Sequence, residues 1–261
     1  MTDSSTSASD SAGPRAFGVD VGGSGIKGGI VDLTTGKLVG ERYKVLTPKP
    51  ATPEAVSRGV AEVVGHFNWD GPVGITLPGV ITDGTMRTAA NIDKGWIGTN
   101  TYELFAKDLG GRALSVVNDA DAAGMAEDAH GAGRGVDGVV MLLTFGTGIG
   151  SAILVNGTLV PNTELGHLIV GKKEAEHQAS SRVKEEKGWS YKKWSKKVST
   201  VLEEYEALFW PSLFIAGGGI SRKADKWIPY LTNDTKVVPA ALQNTAGIVG
   251  AAMAVDRGLK P

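Results

Sequence analysis

The sequence contains no cysteine. This absence excludes disulfide bonds, cysteine nucleophiles and thiolate metal ligands, and it is consistent with a cytoplasmic protein. No run of about 18 apolar residues is present either, so no transmembrane helix is predicted. The first residues are rich in Ser, Thr, Asp and Ala and lack the basic and apolar regions of a signal peptide. Residues 1–14 are therefore predicted to form a disordered tail.

Neither sign of charge is in excess, because 27 basic residues oppose 28 acidic ones. A net charge of −1 gives no reason to expect nucleic-acid or membrane binding. Glycine is the abundant residue, with 37 in 261 residues, about twice the usual share. The glycines cluster where strands are predicted to end.

Short apolar runs that alternate with helical patterns predict an α/β protein. The predicted strands are 17–21, 26–32, 38–45, 73–77, 114–117, 139–144, 151–155 and 213–216. The predicted helices are 53–66 with Thr52 as its cap, 101–109, 120–130 and 245–257. Residues 172–209 are predicted to be long, charged and helical, with Ser190 as a helix cap.

An internal repeat links the two halves of the chain. Asp20-x-Gly22 and Thr144-x-Gly146 each precede a strand, a glycine turn and another strand. The spacing from Asp20 to Asp32 equals that from Thr144 to Asn156. Such a repeat predicts two lobes of like topology that face each other across a cleft.

Glycine turns at three strand ends are candidates for phosphate binding, because their backbone N–H groups can approach an anion closely. Residues 23–28 fit the G-x-G-x-x-G pattern, but a predicted strand follows, so a dinucleotide-binding fold is rejected. Ordinary hairpin turns are the alternative. Asp20 can orient Mg²⁺, and Lys27 can offset phosphate charge. The candidate donor-binding residues are Asp20, Gly22, Gly23, Ser24, Gly25, Lys27, Thr144, Gly146, Thr147, Gly148, Gly217 and Gly218.

Asp119 ends a buried strand, where a carboxylate can accept a hydroxyl proton. An Asp at a strand–helix junction is also a common helix cap; here Asp121 is expected to be the cap, which leaves Asp119 free. Glu164 and His167 suit sugar hydroxyls, although a lone His is often only packed or exposed. The sequence lacks HExxH, so no zinc site is predicted. Asn91 and Trp96 are candidates to line a sugar pocket, with the core as the alternative for Trp96.

Six motifs in order resemble the ROK family of sugar kinases and regulators, within the actin-like ATPase superfamily. They are 20–27 (DVGGSGIK), 77–79 (LPG), 118–121 (NDAD), 144–150 (TFGTGIG), 164–167 (ELGH) and 216–220 (AGGGI). The resemblance covers the chain from about residue 15 onward. It implies two RNase H-like α/β lobes: residues 15–118, completed by the helix 245–261, and residues 119–244. It also implies a homodimer.

The resemblance further implies a kinase with glucose in the cleft and Asp119 as the base toward its 6-hydroxyl. The sugar would contact Gly79, Asn91, Asn118, Asp119, Glu164, His167 and Glu176. The glycine turns would hold the phosphates of ATP or polyphosphate, with Mg²⁺ as cofactor.

Most members of the family carry a cysteine-rich zinc motif after the Gly-His pair, and residues 168–182 lack it. In lacking this motif, the chain resembles the branch of the family that uses polyphosphate as phosphoryl donor. One relative in that branch also phosphorylates mannose. Residues 171–197 hold nine Lys or Arg and four Glu, a charge of +5 that would attract a polyanion. A solvated helix face with i,i+4 pairs is the alternative, and the donor stays open between polyphosphate and ATP.

Three other functions remain open. An ATP-only kinase for another hexose or an N-acetylhexosamine would differ in pocket shape. A non-catalytic sugar sensor of the family would carry an N-terminal helix-turn-helix domain; only about 15 residues precede the first strand here, so DNA binding is not expected. An actin-like assembly protein would have no use for Glu164 and His167 as a sugar-binding pair.

Overall fold

A computed structural model describes residues 13–90 and 92–261. Residues 1–12 of the predicted tail, and Asn91, lie outside the described residues. The strands are β1 Arg15–Gly22, β2 Gly25–Asp32, β3 Lys37–Leu38, β4 Tyr43–Val45, β5 Val73–Leu77, β6 Ile81–Thr82, β7 Thr85–Met86, β8 Leu114–Asn118, β9 Val139–Phe145, β10 Ile149–Val155, β11 Thr158–Val160, β12 Ile169–Val170, β13 Lys173–Glu174, β14 Leu213–Gly217 and β15 Val237–Pro239. The α-helices are α1 Pro53–His66, α2 Thr101–Leu109, α3 Asp119–His130, α4 Glu176–Ala179, α5 Ser181–Glu186, α6 Tyr191–Phe209 and α7 Ala246–Asp256.

Two sheets share one topology. The first has the order β3-β2-β1-β5-β8, with β4 also beside β2, and the second has the order β11-β10-β9-β14-β15. In each sheet the two repeat strands, β1 with β2 and β9 with β10, pair antiparallel. The next pairings along each sheet are parallel: β1 with β5 and β5 with β8 in the first, and β9 with β14 and β14 with β15 in the second. The predicted repeat is confirmed, since β1 and β9 occupy equivalent places and end at Asp20-x-Gly22 and Thr144-x-Gly146.

Helices α3 and α7 lie between the two sheets and pack against each other. Helix α7 covers β1, β5 and β8, while α3 covers β9 and β10. Helices α1 and α2 bury the other face of the first sheet, and α6 buries the other face of the second. Because side chains alternate along a strand, Phe17 and Val19 face α1, while Gly18 and Asp20 point toward α7. The proposed lobe boundary between residues 118 and 119 stays a prediction.

Several local predictions are confirmed, and three are wrong. Thr52 caps α1, and Ser190 caps α6 by accepting a hydrogen bond from the Lys193 amide. The predicted strand 38–45 is two strands, because the chain turns at Gly40 with a φ of 83°. The predicted long helix within 172–209 is three helices after the hairpin of β12 and β13, with breaks at Ser180 and at Gly188.

The cap of α3 is also different from the prediction. Asn118, not Asp121, caps this helix: its side-chain oxygen accepts hydrogen bonds from the amides of Ala120 and Asp121. Asp119 is the first helical residue. Within the described residues, no helix is both long and apolar enough to cross a membrane.

Helix α7 approaches the first sheet so closely that only glycine fits at two strand positions. A Cβ atom at Gly74 would overlap the Ala251 carbonyl oxygen, and one at Gly18 would overlap the Ile248 carbonyl oxygen. We expect Gly74→Ala to destabilise the protein by about 3 kcal/mol, because a helix backbone cannot yield as a side chain would. Chemical denaturation measures this loss.

Gly65→Ala is the matched control for that substitution. Gly65 lies in the last turn of α1, and a Cβ atom there meets nothing within 4 Å. The control should leave stability unchanged or raise it slightly, because alanine favours a helix over glycine. Equal denaturation midpoints for Gly74→Ala and wild type would contradict the close packing of α7.

Candidate active site

Two adjoining cavities open where strands of both sheets end at their carboxyl termini. The larger has a volume of about 590 Å³ and the smaller about 190 Å³. Asp119, Thr144 and Gly218 line both of them. The Asp119 carboxylate can therefore contact a molecule bound in either cavity.

Six of the seven residues predicted to contact sugar line the larger cavity: Gly79, Asn118, Asp119, Glu164, His167 and Glu176. The seventh, Asn91, lies outside the described residues. Thr88, Ala89, Ala90, Ser151 and Arg182 complete much of the wall. The sequence did not identify these five residues, because none belongs to a motif. For the loop at 88–90, the neighbouring Asn91 was the sole candidate named. Trp96 is in the core and donates from its indole nitrogen to the Ala51 carbonyl at 2.9 Å.

Asn118 joins the wall of the larger cavity to the start of α3. Its side-chain oxygen accepts from the Ala120 amide at 2.8 Å and from the Asp121 amide at 3.2 Å. Its Nδ2 donates to the Gly79 carbonyl oxygen at 3.2 Å. Because Asn118 supplies the cap, the Asp119 carboxylate accepts the Ala120 amide at 2.9 Å and faces the cavities.

The Asp119 carboxylate has the environment of a general base. The Asp119 side chain is exposed toward the cavities, while protein atoms crowd its other sides. The loss of solvation on those sides, with the negative charges of Asp20 and then Glu164 nearby, raises the pKa of Asp119 to about 7. A carboxylate with a pKa near neutral pH is well matched to accept a proton.

The raised pKa of Asp119 predicts how activity depends on pH. A base at this place would work only when deprotonated, so kcat/KM should fall about tenfold for each pH unit below about 7 and level off above it. Asp20→Asn removes a negative neighbour and lowers the pKa of Asp119, so the acid limb should move to lower pH. The midpoint of the acid limb is read from the pH profile of kcat/KM, and it does not depend on how far the maximal kcat/KM of the variant falls.

Asp70→Asn is the control for this shift, because Asp70 is exposed and pairs with Arg112 at 3.2 Å, away from both cavities. Its profile should coincide with that of wild type. An Asp20→Asn profile with an unchanged midpoint would show that the field of Asp20 does not act on the base.

Glu164 and His167 stand at opposite ends of a short 3-10 turn, Leu165–His167, on the far wall of the larger cavity. Burial raises the pKa of Glu164. The His167 Nδ1 atom lies 3.0 Å from an oxygen of Glu174, and this hydrogen bond, with the nearby carboxylates, raises the pKa of His167. Glu174 was not predicted, since nothing in the sequence shows that β13 folds back beside His167.

Glu176 accepts the Ile149 amide at 3.2 Å and so links α4 to the turn after β9. With His167 and Glu174 it forms a group whose possible metal-ligating atoms lie within 4.8 Å of one another. The expectation that the chain has no zinc site stays a prediction.

The donor-side candidates differ in the cavity that they line. Asp20 and Gly217 line only the smaller cavity, Gly146, Thr147 and Gly148 line only the larger one, and Thr144 and Gly218 line both. Gly22, Gly23, Ser24, Gly25 and Lys27 line neither cavity. The Lys27 ammonium instead pairs with Asp20 at 2.9 Å, and Thr76 donates to the other Asp20 oxygen at 3.2 Å.

Glu127 is a further residue of the smaller cavity that the sequence did not reveal. This fully buried carboxylate on α3 accepts the backbone amides of Ala132 and Ala241 at 2.9 Å each, and of Leu242 at 2.7 Å. It thereby holds the loop whose next residues, Gln243 and Asn244, line the smaller cavity.

Known proteins resemble the chain over nearly its whole length. A polyphosphate glucokinase of Mycobacterium tuberculosis (strain CDC 1551 / Oshkosh) is 65% identical over 240 residues, which cover 92% of this chain and 91% of that relative. The crystal structure of an inorganic polyphosphate/ATP-glucomannokinase from Arthrobacter sp. strain KM has a TM-score of 0.88 at 49% identity, and covers 94% of this chain and 99% of that one.

A third likeness is to a ROK family glucokinase from Streptomyces griseus, solved in complex with glucose and AMPPNP. It has a TM-score of 0.79 at 25% identity and covers 94% of this chain and 100% of that one. These likenesses confirm the predicted actin-like fold, with two lobes and a central cleft. The family model described as the ROK family matches residues 16–179. By motif order, fold and this match, the chain belongs to the ROK family.

Proposed function

We propose that this chain is a glucokinase that transfers the terminal phosphoryl group of inorganic polyphosphate or ATP to the 6-hydroxyl of glucose. The observation that carries the proposal is the place of Asp119, a base of raised pKa where a sugar-sized cavity meets a second cavity lined by glycine. The 65% identity to a polyphosphate glucokinase and the likeness to a polyphosphate/ATP-glucomannokinase support the choice of substrates.

In the reaction, the glucose 6-hydroxyl attacks the terminal phosphorus of the donor, and its proton passes to Asp119. The bond between O6 and phosphorus forms as the bridging P–O bond breaks, which releases ADP or a polyphosphate shorter by one unit. The protein supplies alignment and charge stabilisation, since phosphoryl transfer demands little covalent chemistry from it. Closure of the cleft would exclude water.

The sugar is held from both walls of the larger cavity. Glu164 and His167 accept and donate hydrogen bonds to its hydroxyls, with Glu176 beside them. Asn118 and Gly79 form the opposite wall, and Asn91 is proposed to join them. A sugar bound in this way would have its reacting hydroxyl next to Asp119.

The donor phosphates are held by backbone N–H groups of the turn 146–148 and by Gly217 and Gly218, with the Thr144 hydroxyl between the cavities. Asp20 presents carboxylate oxygens to the smaller cavity, and these are the ligands that Mg²⁺ prefers. The residues therefore fit this ion, which when bound would supply positive charge to the donor phosphates. Lys27 balances the Asp20 charge, and the predicted role of the turn 22–25 toward the donor stays a prediction, since this turn lines neither cavity.

The basic segment, residues 171–197, is proposed to guide polyphosphate. It begins beside the larger cavity, which Arg182 lines. The Lys184 ammonium stands 4.3 Å from the centre of the Tyr191 ring, and those of Lys187 and Lys193 stand 4.9 and 5.4 Å from that of Trp189. Aromatic rings can hold ammonium groups in place without neutralising them, which leaves their charge available to a polyanion.

A coupled assay for glucose 6-phosphate tests the function. Product should form with glucose and polyphosphate, or with glucose and ATP, and should not form when the donor is omitted. No product with either donor would overturn the proposal. Product with ATP alone would restrict it to an ATP-dependent kinase, and N-acetylmannosamine in place of glucose tests the rival acceptor.

Finer points belong to the same proposal. Mannose should also be phosphorylated, as the name of the Arthrobacter protein indicates for that relative. We propose a homodimer, which light scattering after size exclusion would test, and a cytoplasmic location, where ATP is available. The lobes are proposed to be residues 15–118 with 245–261, and residues 119–244.

A further inference from the structure

Asn162 joins the two walls of the larger cavity without lining it. Its Nδ2 donates to the Ile81 carbonyl oxygen at 2.7 Å, and its Oδ1 accepts from the Ile81 amide at 3.0 Å. The side chain thus pairs with the backbone of β6 as a neighbouring strand would. It connects the loop after β11 to a segment 81 residues earlier in the chain.

Ile81 belongs to the hairpin of β6 and β7, which directly follows Gly79. This hairpin is tied to the wall of the cavity by backbone hydrogen bonds: the Arg87 amide donates to Val80 at 2.8 Å, and the Ala90 amide donates to Pro78 at 3.0 Å. The position of Ile81 therefore sets the position of the wall that includes Gly79 and Ala90.

On the other wall of the cavity, Glu164 follows Asn162 by two residues in the chain. Ser151 on β10 holds this loop to the second sheet, because its hydroxyl donates to the Thr163 carbonyl at 2.6 Å and accepts from the Leu165 amide at 3.0 Å. Glu164 is thus fixed to the second sheet by Ser151. Only its distance from the first-sheet wall depends on Asn162 and Ile81.

Asp121 holds Asn162 in this place. Its Oδ2 accepts the Asn162 backbone amide at 2.7 Å, and the side chain is fully buried. Its Oδ1 has no hydrogen-bond partner in the described part of the chain. Asn162 has a φ of 60°, a left-handed conformation that asparagine tolerates better than most residues. Helix α3 therefore carries Asp119 and, two positions later, the carboxylate that anchors the connection between the walls.

From these contacts we infer that Asn162 is a positioning residue that sets the width of the sugar cavity by tying the β6–β7 hairpin to the loop of Glu164. Asp121 fixes Asn162 in turn. The inference rests on the proposed function, in which Glu164 and the wall at Gly79 bind opposite sides of the sugar. It assigns Asn162 an effect on the sugar and none on the donor, because its hydrogen bonds go to Ile81 and Asp121 and reach none of the residues proposed to hold the donor phosphates.

Asn162→Gly tests this role. Glycine accepts the left-handed backbone and removes only the side-chain amide. We expect the KM for glucose, and its Kd by calorimetry, to rise about tenfold with the loss of two partly buried hydrogen bonds. The KM for polyphosphate and for ATP should change less than about twofold. A uniform structural defect would instead lower kcat and affect both substrates.

Asn156→Gly is the matched control. Asn156 lies in the turn between β10 and β11, also has a positive φ, of 49°, and its Oδ1 accepts the Gly138 amide at 2.8 Å. It lines neither cavity, so this variant should keep the wild-type KM for glucose. An unchanged glucose KM in Asn162→Gly, or an equal rise in Asn156→Gly, would overturn the inference.

A second pair of variants tests the anchor if Asn162→Gly does not fold. Asp121→Ala removes the acceptor of the Asn162 amide and should raise the KM for glucose, whereas Asp121→Asn retains an oxygen there and should recover most of the loss. Equal values for the two would count against Asp121 as the anchor. Wild-type protein that forms no glucose 6-phosphate would sink the proposed function itself, which separates the two failures.

Discussion

Asp119→Asn should lower kcat by about 10³-fold, the largest effect expected of any single substitution in this protein. The amide has almost the shape of the carboxylate but cannot accept the proton of the glucose hydroxyl. Glucose binding should persist, because Glu164, His167 and Asn118 remain in place. Steady-state kinetics with glucose calorimetry would separate the lost turnover from the retained affinity.

Asp128→Asn supplies the control for that experiment. Asp128 lies on the same helix, burial also raises its pKa, and it lines neither cavity. It should retain wild-type turnover, so that a loss confined to Asp119→Asn reports on the base and not on α3. Turnover within tenfold of wild type in Asp119→Asn would remove Asp119 from the role of base.

Neutralising the exposed lysines of α6 should have the second largest effect, and it should be specific for one donor. Lys192, Lys193, Lys196 and Lys197 are exposed, and none forms a salt bridge within the described residues. Their joint replacement by glutamine should lower kcat/KM for long-chain polyphosphate about 30-fold at low salt, since it removes both steering and counterion release. ATP, which carries few charges, should be used almost as before.

The salt dependence and a charge-matched control make this result specific. The difference between variant and wild type should shrink as salt concentration rises, because screening weakens the attraction in the wild type. Replacement of Lys37, Lys49, Lys107 and Lys236 by glutamine changes the net charge equally outside the basic segment and should leave polyphosphate use unchanged. Equal losses in both variants, or equal losses with both donors, would refute a polyphosphate track on α6.

Local sequence signals were sufficient for the parts of the fold that depend on neighbours in the chain. The equal spacing after Asp20 and after Thr144 predicted two sheets of one topology, because strand, turn and strand form within a few residues. The cap of α3 could not be decided in the same way. Asn118 and Asp121 are both good caps, and the choice depends on the extended backbone of Asn118, with ψ of 147°, which β8 imposes.

Contacts between distant residues gave no local signal. Glu127 accepts amides more than a hundred positions away, and Asn162 meets Ile81 across 81 positions. Such pairs exist only after both sheets have formed around α3 and α7. The sequence also could not decide the place of Trp96, because a tryptophan in a glycine-rich loop can line a pocket or fill a core. In the structure Trp96 packs against Phe105 in the core.

The matched topology of the two sheets gives Asp20 and Thr144 equivalent places in the strand order, as in duplicated halves. The match holds for the strands and not for these side chains, because one copy carries a carboxylate and the other a neutral hydroxyl. Two carboxylates facing each other would repel a phosphate chain from both sides. In the proposed function, the divergence of this one pair makes the two halves of the cleft chemically different although their strand orders match.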